Sequence, residues 1–143
     1  MVKENQANRL IFLGILLFLL GLIVGLAVPF FANPRMGLSS HLEGVMNGMF
    51  LVILGLIWPK LQLSGRWLSI AFWLAVYGTF ANWLGILVAA IFNAGEMLNV
   101  AAQGQRGPVI AEGFVTFCLI SLTLAMLAVC VILLVGLKHT LKK

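Results

Sequence analysis

Four long apolar runs set the terms for this chain: residues 10–31, 42–58, 67–92 and 109–137. A helix rises about 1.5 Å per residue, so about 20 apolar residues are needed to cross a bilayer core of about 30 Å. In lipid, such runs fold as helices, which satisfy their amide groups within each segment. The expected architecture is all-α: one integral membrane domain, a transmembrane bundle of four helices. Composition agrees, with 62% hydrophobic and 9% charged residues, where soluble proteins carry about a quarter charged. The first run is longer than the roughly 7–15 apolar residues of a signal peptide and lacks a clear small-x-small cleavage site, so it is expected to remain as a span.

The net charge of +5 needs no nucleic-acid partner to explain it. Lys3, Arg9, Lys60, Arg66, Lys138, Lys142 and Lys143 lie at the N-terminus, in the second connection and at the C-terminus, three regions on one side of a four-span protein. The tendency of Lys and Arg to remain cytoplasmic places both termini and the "PKLQLSGR" connection there, with Arg35 and Arg106 on the far side. Trp58 and Trp67 flank that connection as interfacial aromatics.

Cys118 and Cys130 share the fourth run, about 18 Å apart along a helix, too far for a disulfide. In the first connection, "ANPRMGLSS", Ser39 or Ser40 is a plausible cap for the second helix; with Ser40 as the cap, Glu43 occupies the reciprocal capping-box position. The third connection, "AGEMLNVAAQGQRGP", is the longest and most polar, and reads either as part of a lid or as a loose linker.

Polar groups within a span are costly unless they meet a partner or a cavity, so each is a functional candidate. They are His41, Glu43 and Asn47 in the second span, then Tyr77, Thr79, Asn82, Asn93 and Glu96, then Glu112, Thr116, Ser121 and Thr123. At about 100° per residue, Gly44, Gly48 and Gly55 fall on the face of His41, whereas Glu43 and Asn47 share another face one turn apart. His41 and Asn47 therefore cannot grip one small object from the same helix. On the third span Gly78, Gly85, Ala89, Asn93 and Glu96 lie on the Asn82 side, a small-and-polar stripe of the kind that packs membrane helices.

Two readings of His41 stand. It is a wetted residue near the interface, or it holds a haem whose flat macrocycle lies against the bare backbone of Gly44 and Gly48. His139 lies at the opposite end, so a bis-histidine haem within one chain is disfavoured.

The stretches "ANPRMGLSSHLEGVMNGMFLVILGLIWPKL" and "WLSIAFWLAVYGTFANWLG" resemble the small four-span membrane isomerases that comprise the hydroxylaminobenzene mutases and styrene oxide isomerases. The mutase branch is the more similar. The resemblance implies a homotrimer in the bacterial inner membrane, with haem b between subunits and His41 as axial ligand. It also implies that Asn47 is the substrate-side asparagine and that Asn82 matches an asparagine of the third span. One helical turn after Asn82 the epoxide isomerases have a tyrosine where this chain has Ile86, and Tyr77 is not in register to replace it.

The implied reaction converts a small aromatic N-arylhydroxylamine to a 2-aminophenol without net redox change. In it, ferric haem b acts as Lewis acid, Asn47 holds the N–H or oxygen and Glu43 carries a proton. Met46, Met49 and Phe50 are expected to wall out water. Alternatives are an epoxide isomerase of the same family, a haem-bearing electron carrier or anchor subunit, and a haem-free transport module.

Overall fold

A computed structural model describes residues 2–141, with side chains through Lys138; the side chain of His139 and residues Lys142 and Lys143 lie outside the described residues. The helices are α1 (Val2–Ala27), α2 (Pro34–Ile57), α3 (Gly65–Phe92), the short α4 (Asn99–Ala102) and α5 (Val109–Leu141). The segments Val28–Phe30 and Trp58–Lys60 extend α1 and α2 as 3₁₀ turns. Four of these helices are long and apolar enough to cross a membrane, as expected of a multi-pass membrane protein.

The helices form a chain of neighbours. α1 packs on α2, α2 on α3 and α3 on α5. Glycine sets the closeness of the first pair. A Cβ on Gly48 would lie 2.6 Å from the Phe18 nitrogen and 2.7 Å from the Gly14 carbonyl oxygen. One on Gly44 would lie 2.5 Å from the Gly21 Cα. Backbone therefore meets backbone, the close approach that small residues give membrane helices where no hydrophobic effect drives association. Between α3 and α5 the glycines instead receive side chains, Met126 at Gly78 and Cys118 at Gly85.

Two polar seams close the ends. At one, Lys3 Nζ donates to the carbonyls of Pro59 (2.9 Å) and Leu61 (2.6 Å), and Trp58 Nε1 donates to Gln6. At the other, Asn33 caps α2 by accepting the Met36 amide at 3.1 Å and donates to Asn93 Oδ1 at 2.9 Å. Pro34 follows as the first residue of the helix, where its missing N–H costs nothing.

That cap overturns the expected capping box. Ser39 and Ser40 lie inside α2, their hydroxyls donating to the carbonyls of Arg35 and Trp83. Glu43 is thus nine residues into the helix, about 14 Å from its start, and is no cap partner. The α3 stripe is also shorter than expected. Asn93 ends the helix in the left-handed conformation at φ 53°, which places Glu96 in the connection.

The third connection is pinned down. The buried Glu112 carboxylate accepts the backbone N–H groups of Gly95 (2.9 Å), Glu96 (3.0 Å) and Gly107 (2.8 Å). Asn93 and Gln105 pair through their side chains, and Met36, Ala94 and Ala102 fill the space beneath. Its described residues form a fixed cap over the ends of α2, α3 and α5, not a loose linker.

Candidate functional site

Three of the sequence-selected residues meet. Glu43 and Asn47 are one turn apart on α2, and the Asn47 amide donates to Glu43 Oε2 at 3.0 Å. Asn82 reaches the same oxygen from α3 at 2.5 Å. The two helices run antiparallel here, with Ser40 bonding to the Trp83 carbonyl one turn further toward the Asn33 end, so the register is fixed by two contacts. Asn82 lies about 15 Å from the end of α3, a depth that matches Glu43 on α2. The cluster therefore lies within the span-length part of both helices, nearer the end of α2 that Asn33 caps than the other.

A carboxylate only accepts, which orients both amides: each NH₂ faces Glu43 and each carbonyl oxygen points elsewhere. Glu43 Oε1, Asn47 Oδ1 and Asn82 Oδ1 have no protein partner among the described residues. All three residues are half-buried. The cluster can hold a negative charge at Oε2 and present acceptor oxygens to a donor.

His41 faces another way. Its Nδ1 lies 2.8 Å from the Gly21 carbonyl oxygen of α1, so Nδ1 carries the proton and donates. In a neutral ring the lone pair is then on Nε2, which has no partner among the described residues. Histidines that ligate metals are commonly held in this way, with the other ring N–H given to a backbone carbonyl.

Gly44 and Gly48 depart from the sequence-based picture. α1 covers both, so the backbone expected to lie bare against a macrocycle is taken up by helix packing. Met46 and Met49 are 59% and 45% exposed and wall nothing within one copy, whereas Phe50 packs against the core. Together with Leu42 and Ile53 the two methionines make an exposed stripe on α2. From the helical angles, His41 borders one edge of this stripe, and Glu43 and Asn47 border the other.

Tyr77 bonds to Ser121 on α5 at 2.6 Å and Ile86 is buried, so neither places a hydroxyl in the cluster. Thr79 and Thr123 bond to carbonyls of their own helices. A polar cleft of about 480 Å³ opens beside Glu96, Arg106 and Thr116, and an aromatic one of about 490 Å³ lies between α3 and α5 beside Trp73 and Phe117; neither includes Glu43 or His41. Sequence reasoning overlooked Gly21 and Gly25, although the spacing of Gly14, Gly21 and Gly25 along α1 marks a packing face.

No solved structure matches the chain. Hydroxylaminobenzene mutase HabB of Ectopseudomonas oleovorans is 56% identical over 133 residues, 92% of this chain and 81% of the relative. Hydroxylaminobenzene mutase HabA of the same organism is 51% identical over 124 residues, 86% of this chain and 92% of the relative. The styrene oxide isomerase family model matches residues 6–138. With almost the whole chain covered, the protein belongs to the styrene oxide isomerase family.

Proposed function

We propose that this protein, an isomerase by family, rearranges N-arylhydroxylamines such as hydroxylaminobenzene to 2-aminophenols in the bacterial inner membrane, with both termini cytoplasmic. The observation that carries this reading is the Glu43–Asn47–Asn82 cluster, whose Oε1 and two amide oxygens lack protein partners among the described residues. An N-arylhydroxylamine brings an N–H and an O–H to such acceptors. An epoxide brings neither, and Tyr77, bonded to Ser121, and the buried Ile86 place no hydroxyl in the cluster to meet its ring oxygen. The names of the two mutase relatives support the same substrate class.

In the reaction the N–O bond breaks and a C–O bond forms at the ortho carbon. The proton on that carbon is lost and the nitrogen gains one, so no oxidant or reductant is consumed. Asn47 and Asn82 hold the head group through their amide oxygens. Glu43 Oε1 accepts the ring proton and returns it to nitrogen, the general acid–base role suited to a positioned carboxylate. A site within the spanning helices would keep away the water that otherwise captures the ring cation.

The reading includes ferric haem b as cofactor, held through His41. The donor set fits: Nδ1–H is engaged by Gly21, which leaves Nε2 for a metal. Bound there, the haem would supply a Lewis-acidic iron to stabilise negative charge on the departing oxygen. Within one copy His41 turns toward α1 and the carboxylate cluster toward α3, which supports a site shared between copies; the reading takes the assembly to be a homotrimer. The exposed α2 stripe between them would meet a neighbouring copy, bringing one copy's His41 edge toward the cluster of the next and covering Met46 and Met49.

Purified protein supplied with haem is expected to convert N-phenylhydroxylamine to 2-aminophenol with no electron donor present, and His41→Ala to lose that turnover. Consumption of the substrate only when a reductant is added would overturn the reading in favour of an electron carrier.

A further inference from the structure

We propose that Gly25 is a positioning residue: with Gly21 it forms a socket on α1 that locks the His41 imidazole as its Nδ1–H tautomer and makes Nε2 the ligating nitrogen. The inference deepens the reading of His41 as a cofactor ligand and rests on it for its functional meaning, though its geometric content stands separately.

The socket has two parts. Gly21 supplies the acceptor, its carbonyl oxygen 2.8 Å from His41 Nδ1. That carbonyl is already committed within α1 to the amide four residues on, at position 25, so the histidine uses its second lone pair. Reaching that lone pair from the side requires space over the next turn, which the bare Cα of Gly25 provides. A Cβ there would lie 2.6 Å from Nδ1, 3.0 Å from Cε1 and 3.1 Å from Cγ. The ring edge bearing Nδ1 therefore fills the position of the missing methyl group, and the opposite edge, Nε2 with Cδ2, is directed away from α1.

Two consequences separate this from ordinary packing. At Gly14, Gly21 and Gly48 the nearest obstruction to a Cβ includes backbone of the facing helix, so those glycines set the distance between helices. At Gly25 the three nearest atoms all belong to the His41 ring. A methyl group there must displace the imidazole and break its bond to Gly21, which frees Nδ1 and removes the preference for protonation at that nitrogen.

The test uses the full chain labelled with ¹⁵N-histidine in lipid nanodiscs, purified without added haem, the His41 signals being identified by their loss in His41→Gln. The expected spectrum shows a protonated Nδ1 and an unprotonated Nε2 for His41, and loss of that pattern in Gly25→Ala. A wild-type His41 protonated at Nε2, or the same tautomer in both proteins, overturns the proposal. Thermal melting supplies the second measurement. Gly25→Ala is expected to lower the melting temperature in the wild-type background and to have no such effect in His41→Ala, where the methyl group has room. Equal losses in both backgrounds overturn the proposal; failure of Gly25→Ala to fold, with recovery of the folded protein in the double variant, supports it. Neither measurement needs bound haem, so an Nδ1–H tautomer in a protein that takes up no haem would uphold the socket while refuting the cofactor.

Discussion

Glu43 and Asn82 lie thirty-nine positions apart in sequence and 2.5 Å apart in space, joined across α2 and α3 by an oxygen that also receives the Asn47 amide. Two neutral donors on one carboxylate oxygen hold an ionisable group at membrane depth and leave its second oxygen outward. The proposed site and part of the adhesion between α2 and α3 thus share one contact.

Glu43→Gln keeps the shape of the side chain and removes the base. Turnover of N-phenylhydroxylamine should fall by about 10²- to 10⁴-fold, the range for loss of a positioned acid–base group. The protein should still purify as a folded assembly. Initial rates of 2-aminophenol formation measure the effect, and an unchanged rate would remove Glu43 from the mechanism.

Asn82→Ala takes one donor from Glu43 Oε2 and leaves a partly buried carboxylate short of a partner. The expected cost is about 1–3 kcal/mol in stability, seen as a lower melting temperature, together with a drop in turnover as Glu43 loses its fixed orientation. Asn82→Asp should be worse, because it places a second carboxylate against the first.

Much of this was readable in advance. The four runs give the helices directly, because length and apolarity decide what can span lipid. Glu43 and Asn47 could be placed on one face by periodicity alone. Their meeting with Asn82 depends on the register between α2 and α3, which no single-helix angle contains. The start of α2 was hidden because Ser39 and Ser40 look like caps, whereas Asn33, more than one turn upstream, takes that role, with Pro34 as the first helical residue. Gly44 and Gly48 looked like room for a ligand; small residues on a membrane helix serve close packing equally well, and here α1 fills the space.

Glu112→Ala removes the acceptor of three backbone amides and should loosen the cap over the Asn33 end. Hydrogen exchange at Gly95, Glu96 and Gly107 should accelerate, with about 1–3 kcal/mol lost from local stability for buried amides left unpaired. The Glu43 cluster belongs to other contacts, so protein that stays folded should retain turnover.

Gly48→Ala inserts a methyl group into the backbone of Phe18 and Gly14, which cannot yield as a side-chain tip would. The α1–α2 pair must separate, at about 1–3 kcal/mol for overpacking. Thermal denaturation in detergent checks this. The same substitution at Gly113, where no atom lies within 4 Å of the added Cβ, should be silent.

The substrate class is tested most directly by offering the haem-supplied, purified protein N-phenylhydroxylamine and styrene oxide at equal concentration and following both products by chromatography. The acceptor cluster at Glu43, Asn47 and Asn82 predicts rapid formation of 2-aminophenol and little or no aldehyde from the epoxide. Epoxide isomerisation at an equal or greater rate would contradict the account.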